Sequence, residues 1–267
     1  MSATREDPEA LVRYAFTTDM GKVALNDVLG HRIRIEFSGR IRCQHCGTLT
    51  PKSYAQGYCY PCFKRLAETD LCVVSPDRCH YADGTCRDPA WGERFCMDEH
   101  VVYLANSSGI KVGITKPANL PTRWIDQGAV QGLPVARVAT RQQAGLLEVA
   151  CARHFTDKTQ WQRMLMADDP LIDMAQFRET LARDTRTDLQ ALQERFGLTA
   201  IQPLSDAGTT VLRYPVLGYP SRVVAINPQK RPLLEGQLIG IKGQYLMLDS
   251  GVINLRRYIG YEVAFSV

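Results

Sequence analysis

Residues 100–128 read HVVYLANSSGIKVGITKPANLPTRWIDQG, and the rest of the chain is organised around this stretch. Two short β-prone runs, 101–104 and 110–115, flank the turn-forming sequence Asn-Ser-Ser-Gly at 106–109. This order predicts a β-hairpin. A polar run follows the second strand and delivers Arg123 at the start of the next predicted helix. We therefore expect the hairpin to present an arginine and several polar groups at one edge of a sheet.

Before this stretch, four cysteines form two closely spaced pairs, Cys43-x2-Cys46 and Cys59-x2-Cys62. Each CxxC forms a compact turn whose two sulfurs point to one place, and two such turns complete a tetrahedral thiolate site. The competing interpretation, a redox dithiol, needs a single CxxC in a βαβ context. Disulfides are disfavoured because we expect a reducing compartment. The spacing therefore predicts a structural zinc ion on these four cysteines.

A second, less regular cluster lies between residues 72 and 100. Its candidate ligands are Cys72, Cys79, His80, Cys86, Cys96 and His100. Four ligands complete a tetrahedral site. We predict a second zinc ion on the four cysteines of this cluster, with either histidine as a substitute. The segment is rich in loops, so a bound ion would also hold its shape.

The composition is that of an ordinary globular protein, with 45% hydrophobic and 22% charged residues among 267. The chain has no apolar run of about 18 residues, and its N-terminal segment is polar. We therefore expect no membrane-spanning helix, no signal peptide and a cytoplasmic location. The formal net charge of +4 permits contact with a polyanion without arguing for one. A basic surface that binds nucleic acid would therefore have to come from a local cluster of charged residues and not from the net charge.

The remaining patterns predict an α+β architecture. Residues 32–37 alternate between apolar and charged side chains, which indicates a half-buried strand, and apolar residues recur at helical spacing from 142 to 155. Short β-runs after residue 209 are typical of a small β-barrel or a curled sheet. The expected regions are N-terminal strands (1–42), a cysteine-rich zinc-binding region (43–100), a central α/β domain (101–168), a helical connector (169–200) and a C-terminal β domain (201–267).

The central segment, residues 101–148, resembles the GIY-YIG nuclease superfamily, especially its phage-type branch. Val-Tyr at 102–103 matches the end of the first motif, and Lys-Val-Gly at 111–113 matches the second. Arg123 lies at the start of the following helix, where the family carries its arginine. Glu148 lies on the later helix, where the family carries a metal-binding glutamate. Order and spacing together carry the resemblance.

This resemblance implies a chemistry for the matching residues. Tyr103 would activate or position a water molecule, Glu148 would hold Mg²⁺, and Arg123 would clamp the phosphate. His154, beyond Glu148 near the helix end, would act as an auxiliary polar group. Lys111 stands where much of the family has a tyrosine, and a lysine favours holding a phosphate over transferring a proton.

Nearly the whole sequence also resembles a bacterial domain family of unknown function, through runs such as GYCYPC, CHYADGTCRDPAWG, RWIDQGAVQG and GIKGQYLMLDSGVIN. Three functions follow as hypotheses. The chain is a zinc-stabilised, magnesium-dependent nuclease acting on DNA or RNA, a non-catalytic module that binds nucleic acid, or a zinc-bearing scaffold for other proteins. No membrane partner is expected.

Overall fold

The computed structural model describes residues 1–5, 7, 10–154 and 161–267, and its architecture is α+β, as the sequence predicts. The strands in these ranges are β1 (Ser2–Thr4), β2 (Arg13–Thr18), β3 (Gly21–Ala24), β4 (Arg32–Ile41), β5 (His100–Asn106), β6 (Ile110–Thr115), β7 (Gln131–Val138), β8 (Ile201–Pro203), β9 (Thr210–Val211), β10 (Leu233–Lys242), β11 (Tyr245–Leu248), β12 (Gly251–Asn254) and β13 (Tyr261–Ser266). The α-helices are α1 (Tyr60–Arg65), α2 (Leu71–Val74), α3 (Pro89–Phe95), α4 (Thr122–Asp126), α5 (Arg141–Ala152), α6 (Trp161–Met164), α7 (Met174–Asp184) and α8 (Arg186–Phe196).

The predicted hairpin forms one side of the central sheet, with β6 at the edge. β5 and β6 pair antiparallel with Tyr103 opposite Gly113, and β7 pairs with the other edge of β5. The strand order is β6-β5-β7-β8, and the short β9 also pairs with β7. Ser108 and Gly109 in the connecting turn have φ values of 54° and 127°, which is the backbone conformation that a tight hairpin turn requires. The hairpin is therefore confirmed.

β5 is buried on both faces because its side chains alternate between two cores. Val101, Tyr103 and Ala105 belong to a core shared with the second large sheet. Val102 and Leu104 belong to a core that is completed by α5, α7 and α8. The hairpin thus joins the helical half of the molecule to the β-rich half.

The second large sheet joins the two ends of the chain. Its order is β12-β11-β10-β4-β13, so the predicted N-terminal strand β4 lies between two C-terminal strands. Ile35 of β4 pairs with Leu234 on one side and with Phe265 on the other. Within the described ranges the sheet is open, with β12 and β13 as its edges. Of the two predicted alternatives for the C-terminal strands, the structure therefore shows the sheet and not a closed barrel.

The helices follow the apolar periodicity of the sequence. α5 begins at a capping box in which Thr140 accepts from the N–H of Gln143 and the Gln143 side chain accepts from the N–H of Thr140. Phe155, the last residue of the predicted helix, lies outside the described ranges. α7 and α8 form the predicted helical connector, and α8 ends at Gly197, whose φ is 96°. Among the described helices, none has the length and apolar content to cross a membrane.

Candidate functional site

The first cysteine group has the geometry of a metal site. The Sγ atoms of Cys43, Cys46, Cys59 and Cys62 all lie within 4.8 Å of one another, and those of Cys46 and Cys59 are 3.7 Å apart. Four sulfurs arranged tetrahedrally at about 2.3 Å from zinc are about 3.8 Å from one another. The group can therefore hold a metal ion such as zinc, as its spacing predicts.

Local backbone structure prepares one of these sulfurs, that of Cys43, for a metal. The chain reverses after Cys43 in a turn where Gly47 has a φ of 72° and donates its N–H to the Cys43 carbonyl over 2.9 Å. Burial by itself would raise the pKa of the Cys43 thiol. Backbone N–H groups of His45, Cys46 and Cys59 outweigh burial and lower this pKa to about 6. The thiolate is the form of cysteine that binds metal, so the turn favours the binding form.

The second cysteine group converges on one small cavity of about 10 Å³. The side chains that line it include Asp70, Cys72, Cys79, His80, Cys86 and Cys96. Burial raises the pKa of Cys72 to about 11, and Asp70 and the three other thiols act in the same direction. The oxygen of Asp70, the sulfur of Cys72 and the imidazole of His80 are within 4.8 Å of one another. The compact group of candidate ligands in this cavity is therefore Asp70, Cys72 and His80, which includes one of the four predicted thiols.

A cleft of about 850 Å³ lies between the second cysteine group and the elements that follow the central hairpin. Its charged lining consists of four cationic and two acidic side chains, which are Lys116, Arg123, Arg141, Arg256, Asp126 and Glu148. The segment around α2 and α3 adds apolar side chains, including Val74, Trp91 and Phe95. The lining thus has two more cationic than acidic side chains, and one of the cations, Lys116, is also paired with Asp98, whose carboxylate oxygen is 2.8 Å from the Lys116 Nζ.

Arg123 is held in place by the residue that follows it. Trp124 is 3% exposed and lies over Gly132 of β7, where an added β-carbon would be 2.2 Å from the indole ring. The indole meets the Tyr103 ring edge to face, with ring centroids 5.9 Å apart. Tyr103 in turn lies over Gly113 of β6, where an added β-carbon would be 2.6 Å from the hydroxyl oxygen. Two glycines thus make room for the aromatic rings that fix α4 on the sheet.

Tyr103 is buried beneath the cleft. Its side chain is 0% exposed, and its hydroxyl makes no hydrogen bond of normal geometry with the described part of the chain. Burial raises the pKa of Tyr103; Arg123 and Gln127 oppose this effect and Glu148 adds to it. Tyr103 therefore lies within electrostatic range of Arg123 and Glu148 and is neutral at pH 7. Its ring helps to position Arg123 through the packing against Trp124.

Arg141 connects the cleft to the second cysteine group. It lies two turns before Glu148 on α5, so the two side chains share one face of the helix. The Nη2 of Arg141 donates to the carbonyl of Val73 over 2.7 Å, and its backbone N–H donates to the carbonyl of Cys96 over 2.8 Å. Its Nε is buried without a hydrogen-bond partner among the residues described. Burial lowers the pKa of Arg141, and negative charge on Cys96 and Glu148 opposes this effect.

α5 also fixes the position of the cysteine-rich wall. An added β-carbon at Gly145 would be 2.5 Å from the backbone nitrogen of Asp77 and 2.7 Å from the carbonyl carbon of Pro76. The Nε2 of Gln142 donates to the carbonyl of Cys79 over 2.9 Å. The backbone of the second cysteine group is thus in direct contact with the helix that carries Arg141 and Glu148.

Two of the predicted site residues lie away from this cleft. Lys111 is near the hairpin turn, with its Nζ 3.5 Å from the Oγ of Ser107, and it is not part of the cleft lining. His154 is exposed beyond the end of α5 and is likewise outside the lining. The structure therefore brings Arg123 and Glu148 together above Tyr103 and separates them from Lys111 and His154.

His100, a predicted substitute ligand for the second metal, lines the cleft and not the cysteine cavity. It is 1% exposed, and its Nδ1 donates to the carbonyl of Asp98 over 2.8 Å. Burial lowers its pKa, so the imidazole is neutral at pH 7.

Several residues that line the cleft could not be identified from the sequence. Arg141 and Arg256 belong to no motif, and each enters the cleft only because distant segments pack together. Lys116 lies three residues after the second motif, but its contribution depends on where the chain turns after β6. Asp70 is a candidate metal ligand that the sequence analysis missed. Its position two residues before Cys72 is the signal that could have identified it.

Comparison with known protein families gives a match to a family described as a protein of unknown function, DUF2797, over residues 30–263. The match includes both cysteine groups and every charged residue of the cleft lining. Searches of curated proteins and of solved structures give no significant match.

Proposed function

Because the chain belongs to the DUF2797 family, whose description assigns no activity, we propose a function from the site itself: the cleft binds the sugar–phosphate backbone of a nucleic acid. The observation that carries this proposal is the convergence of Lys116, Arg123, Arg141 and Arg256 from four separate segments on one cleft. Cationic side chains are the main source of affinity for nucleic-acid backbones.

Arginine is the cation best suited to this role, because its planar fork donates two parallel hydrogen bonds to a phosphate. The backbone at Arg123 is fixed by the packing of Trp124 against Tyr103, and the Arg141 side chain is fixed by its hydrogen bond to the Val73 carbonyl. Side chains held in advance lose little conformational entropy when they bind.

The test is the salt dependence of binding to a labelled oligonucleotide, measured by fluorescence anisotropy on the metal-loaded chain. Arg123→Gln and Arg141→Gln should each weaken binding and reduce the slope of log K against log salt by about 1. Arg186→Gln is the matched control, because Arg186 is exposed on α8, which contributes no residue to the cleft. The proposal fails if the two cleft variants behave like this control.

A second candidate function is cleavage of the phosphodiester bond. It is favoured by Glu148, which lies in the same cleft as Arg123 and within electrostatic range of Tyr103. A carboxylate oxygen is a ligand that Mg²⁺ prefers, and a bound Mg²⁺ would polarise the phosphoryl group. In this function Glu148 holds the ion, Arg123 balances the charge that develops on the phosphate, and Tyr103 positions Arg123.

The two functions are separated by Glu148→Ala. With Mg²⁺ and labelled DNA or RNA, cleavage by the wild type that disappears in this variant supports the nuclease function. Cleavage that persists in the variant indicates a contaminating enzyme. A binder without catalytic activity shows no cleavage, and Glu148→Ala leaves its affinity nearly unchanged. A protein-interaction scaffold, the third hypothesis, shows no salt-dependent binding of nucleic acid.

The metal ions of this proposal are structural. Zinc on the first cysteine group stabilises the segment between β4 and α1, and a second zinc ion in the cavity lined by Cys72 and Cys96 stabilises the wall of the cleft. Small loop-rich segments depend on such ions for their shape. Elemental analysis of purified protein should therefore give about two zinc ions per chain.

A further inference from the structure

The cleft carries aromatic side chains as well as cations. Trp91 and Phe95, one turn apart on α3, both line it, and their rings are stacked with centroids 4.9 Å apart. Phe95 is 46% exposed although Trp91 stacks on its ring. The Nζ of Lys116 lies 5.3 Å from the centre of the Phe95 ring. A half-exposed aromatic ring, stacked on Trp91 and facing a cation, thus lies in the same cleft.

From this arrangement we propose that the cleft takes single-stranded nucleic acid, with an unpaired base stacked on Phe95 and the adjoining phosphates on Arg123 and Arg141. The inference rests on the proposed function and adds the class of substrate. Proteins that bind single strands combine a positively charged groove with aromatic side chains that stack on bases. In a duplex the bases already stack on one another, so their faces cannot reach a side chain in a cleft wall.

The space for an extended strand continues beyond this cleft. A second cavity of about 840 Å³ shares Val73, Val74, Asp126 and Arg256 with it. The lining of the second cavity includes Phe63 from α1 in the first cysteine region. The two cavities are therefore neighbours that share a wall, and Arg256 lines both. Two neighbouring cavities of this size offer space for an extended chain of several nucleotides.

The experiment compares three labelled probes of equal length: a single strand, its duplex, and a single strand with abasic sites that keeps every phosphate. Anisotropy is measured on the full, metal-loaded chain without Mg²⁺. The wild type should prefer the single strand to both other probes. Phe95→Ala should weaken binding of the normal single strand by about 5- to 100-fold, leave the abasic strand nearly unaffected and leave the salt slope unchanged. Arg123→Gln should weaken binding of all three probes.

Phe95→Leu and Phe95→Tyr separate stacking from folding. Leucine keeps the apolar volume without a ring face, so it should behave like alanine in binding and like the wild type in stability, whereas tyrosine should preserve binding. The inference is overturned if Phe95→Ala weakens the normal and abasic strands equally, or if the wild type binds the duplex as tightly as the single strand. These results leave the proposed function standing, because salt-dependent binding remains. If no probe binds with salt dependence, both the proposed function and this inference fail.

Discussion

Replacing Gly113 with alanine tests the packing that underlies the whole site. The new β-carbon would lie 2.6 Å from the hydroxyl oxygen of Tyr103, 2.7 Å from its Cζ and 2.9 Å from its Cε2. Ordinary contacts begin at 3.4 Å, so the ring has to withdraw by most of an ångström. The ring is 0% exposed and also packs against Trp124. Overpacking of this kind costs about 1–3 kcal/mol of stability.

Urea unfolding of the metal-loaded protein measures this cost as a change in the free energy of unfolding. Gly218→Ala is the matched control, because an added β-carbon there has no atom within 4 Å and the backbone is not in the left-handed region. It should change the stability by less than about 0.5 kcal/mol. A displaced Tyr103 would also shift Trp124 and with it Arg123, so Gly113→Ala should weaken binding of nucleic acid as well.

A double-mutant cycle with Tyr103→Leu makes the argument specific. Leucine leaves space over Gly113, so Gly113→Ala should cost less in this background, with a coupling energy of about 0.5–3 kcal/mol. Tyr103→Phe removes only the nearest atom and should relieve only part of the cost. If Gly113→Ala matches its control, or if the two substitutions are simply additive, the tyrosine does not depend on the space above Gly113 and the reasoning is refuted.

Three further predictions follow from other contacts. Cys62→Ser should lower the zinc content by about one ion per chain in elemental analysis, and unchanged content would exclude the first cysteine group as a metal site. Gly145→Ala should destabilise the protein by about 1–3 kcal/mol in urea unfolding, because its β-carbon would lie 2.5 Å from the backbone nitrogen of Asp77. Helix propensity alone predicts the opposite, since alanine is the better helix former by about 1 kcal/mol. A stabilised variant would therefore contradict this packing. Burial raises the pKa of Asp126, and the opposing effects of Arg256, Gln244, Arg123 and the terminal amine are smaller. The folded state therefore favours the protonated carboxyl. The contribution of this group to stability is present below the unfolded pKa near 4 and is lost as the pH rises through the raised folded pKa. In the Asp126→Asn variant the urea unfolding midpoint should therefore depend less on pH in that acidic window, and the variant should be more stable than the wild type at pH 7. A variant that is less stable than the wild type at pH 7 would refute the assignment.

The sequence predicts well those features that neighbouring residues encode. The hairpin follows from two β-prone runs around Asn-Ser-Ser-Gly, because a tight turn brings adjacent strands into register without help from the rest of the chain. α5 follows from helical periodicity and from the capping residues Thr140 and Gln143. The first metal group follows from the two CxxC pairs, since each pair fixes two sulfurs locally. In each case the interacting groups are close together along the chain.

The placement of the site residues depends on longer-range packing. Glu148 shares a cleft with Arg123 because α5 packs across the hairpin. Lys111 lies beside Ser107 because it is opposite Ala105 in the hairpin, two positions nearer the turn than Gly113. The periodicity of a strand states which face a residue occupies, but it does not state which helix or loop covers that face.

The sequence by itself thus determined the α+β class, the central hairpin and a four-cysteine group able to hold a metal ion. Only the tertiary structure decided that β4 pairs with C-terminal strands, that the second cysteine group packs against α5, and that Arg141 and Arg256 meet Arg123 in one cleft. The physical reason is the range of the interactions. Turn geometry, capping and ligand spacing act over a few residues, whereas sheet order and cleft shape follow from the burial of apolar faces contributed by segments far apart in the chain.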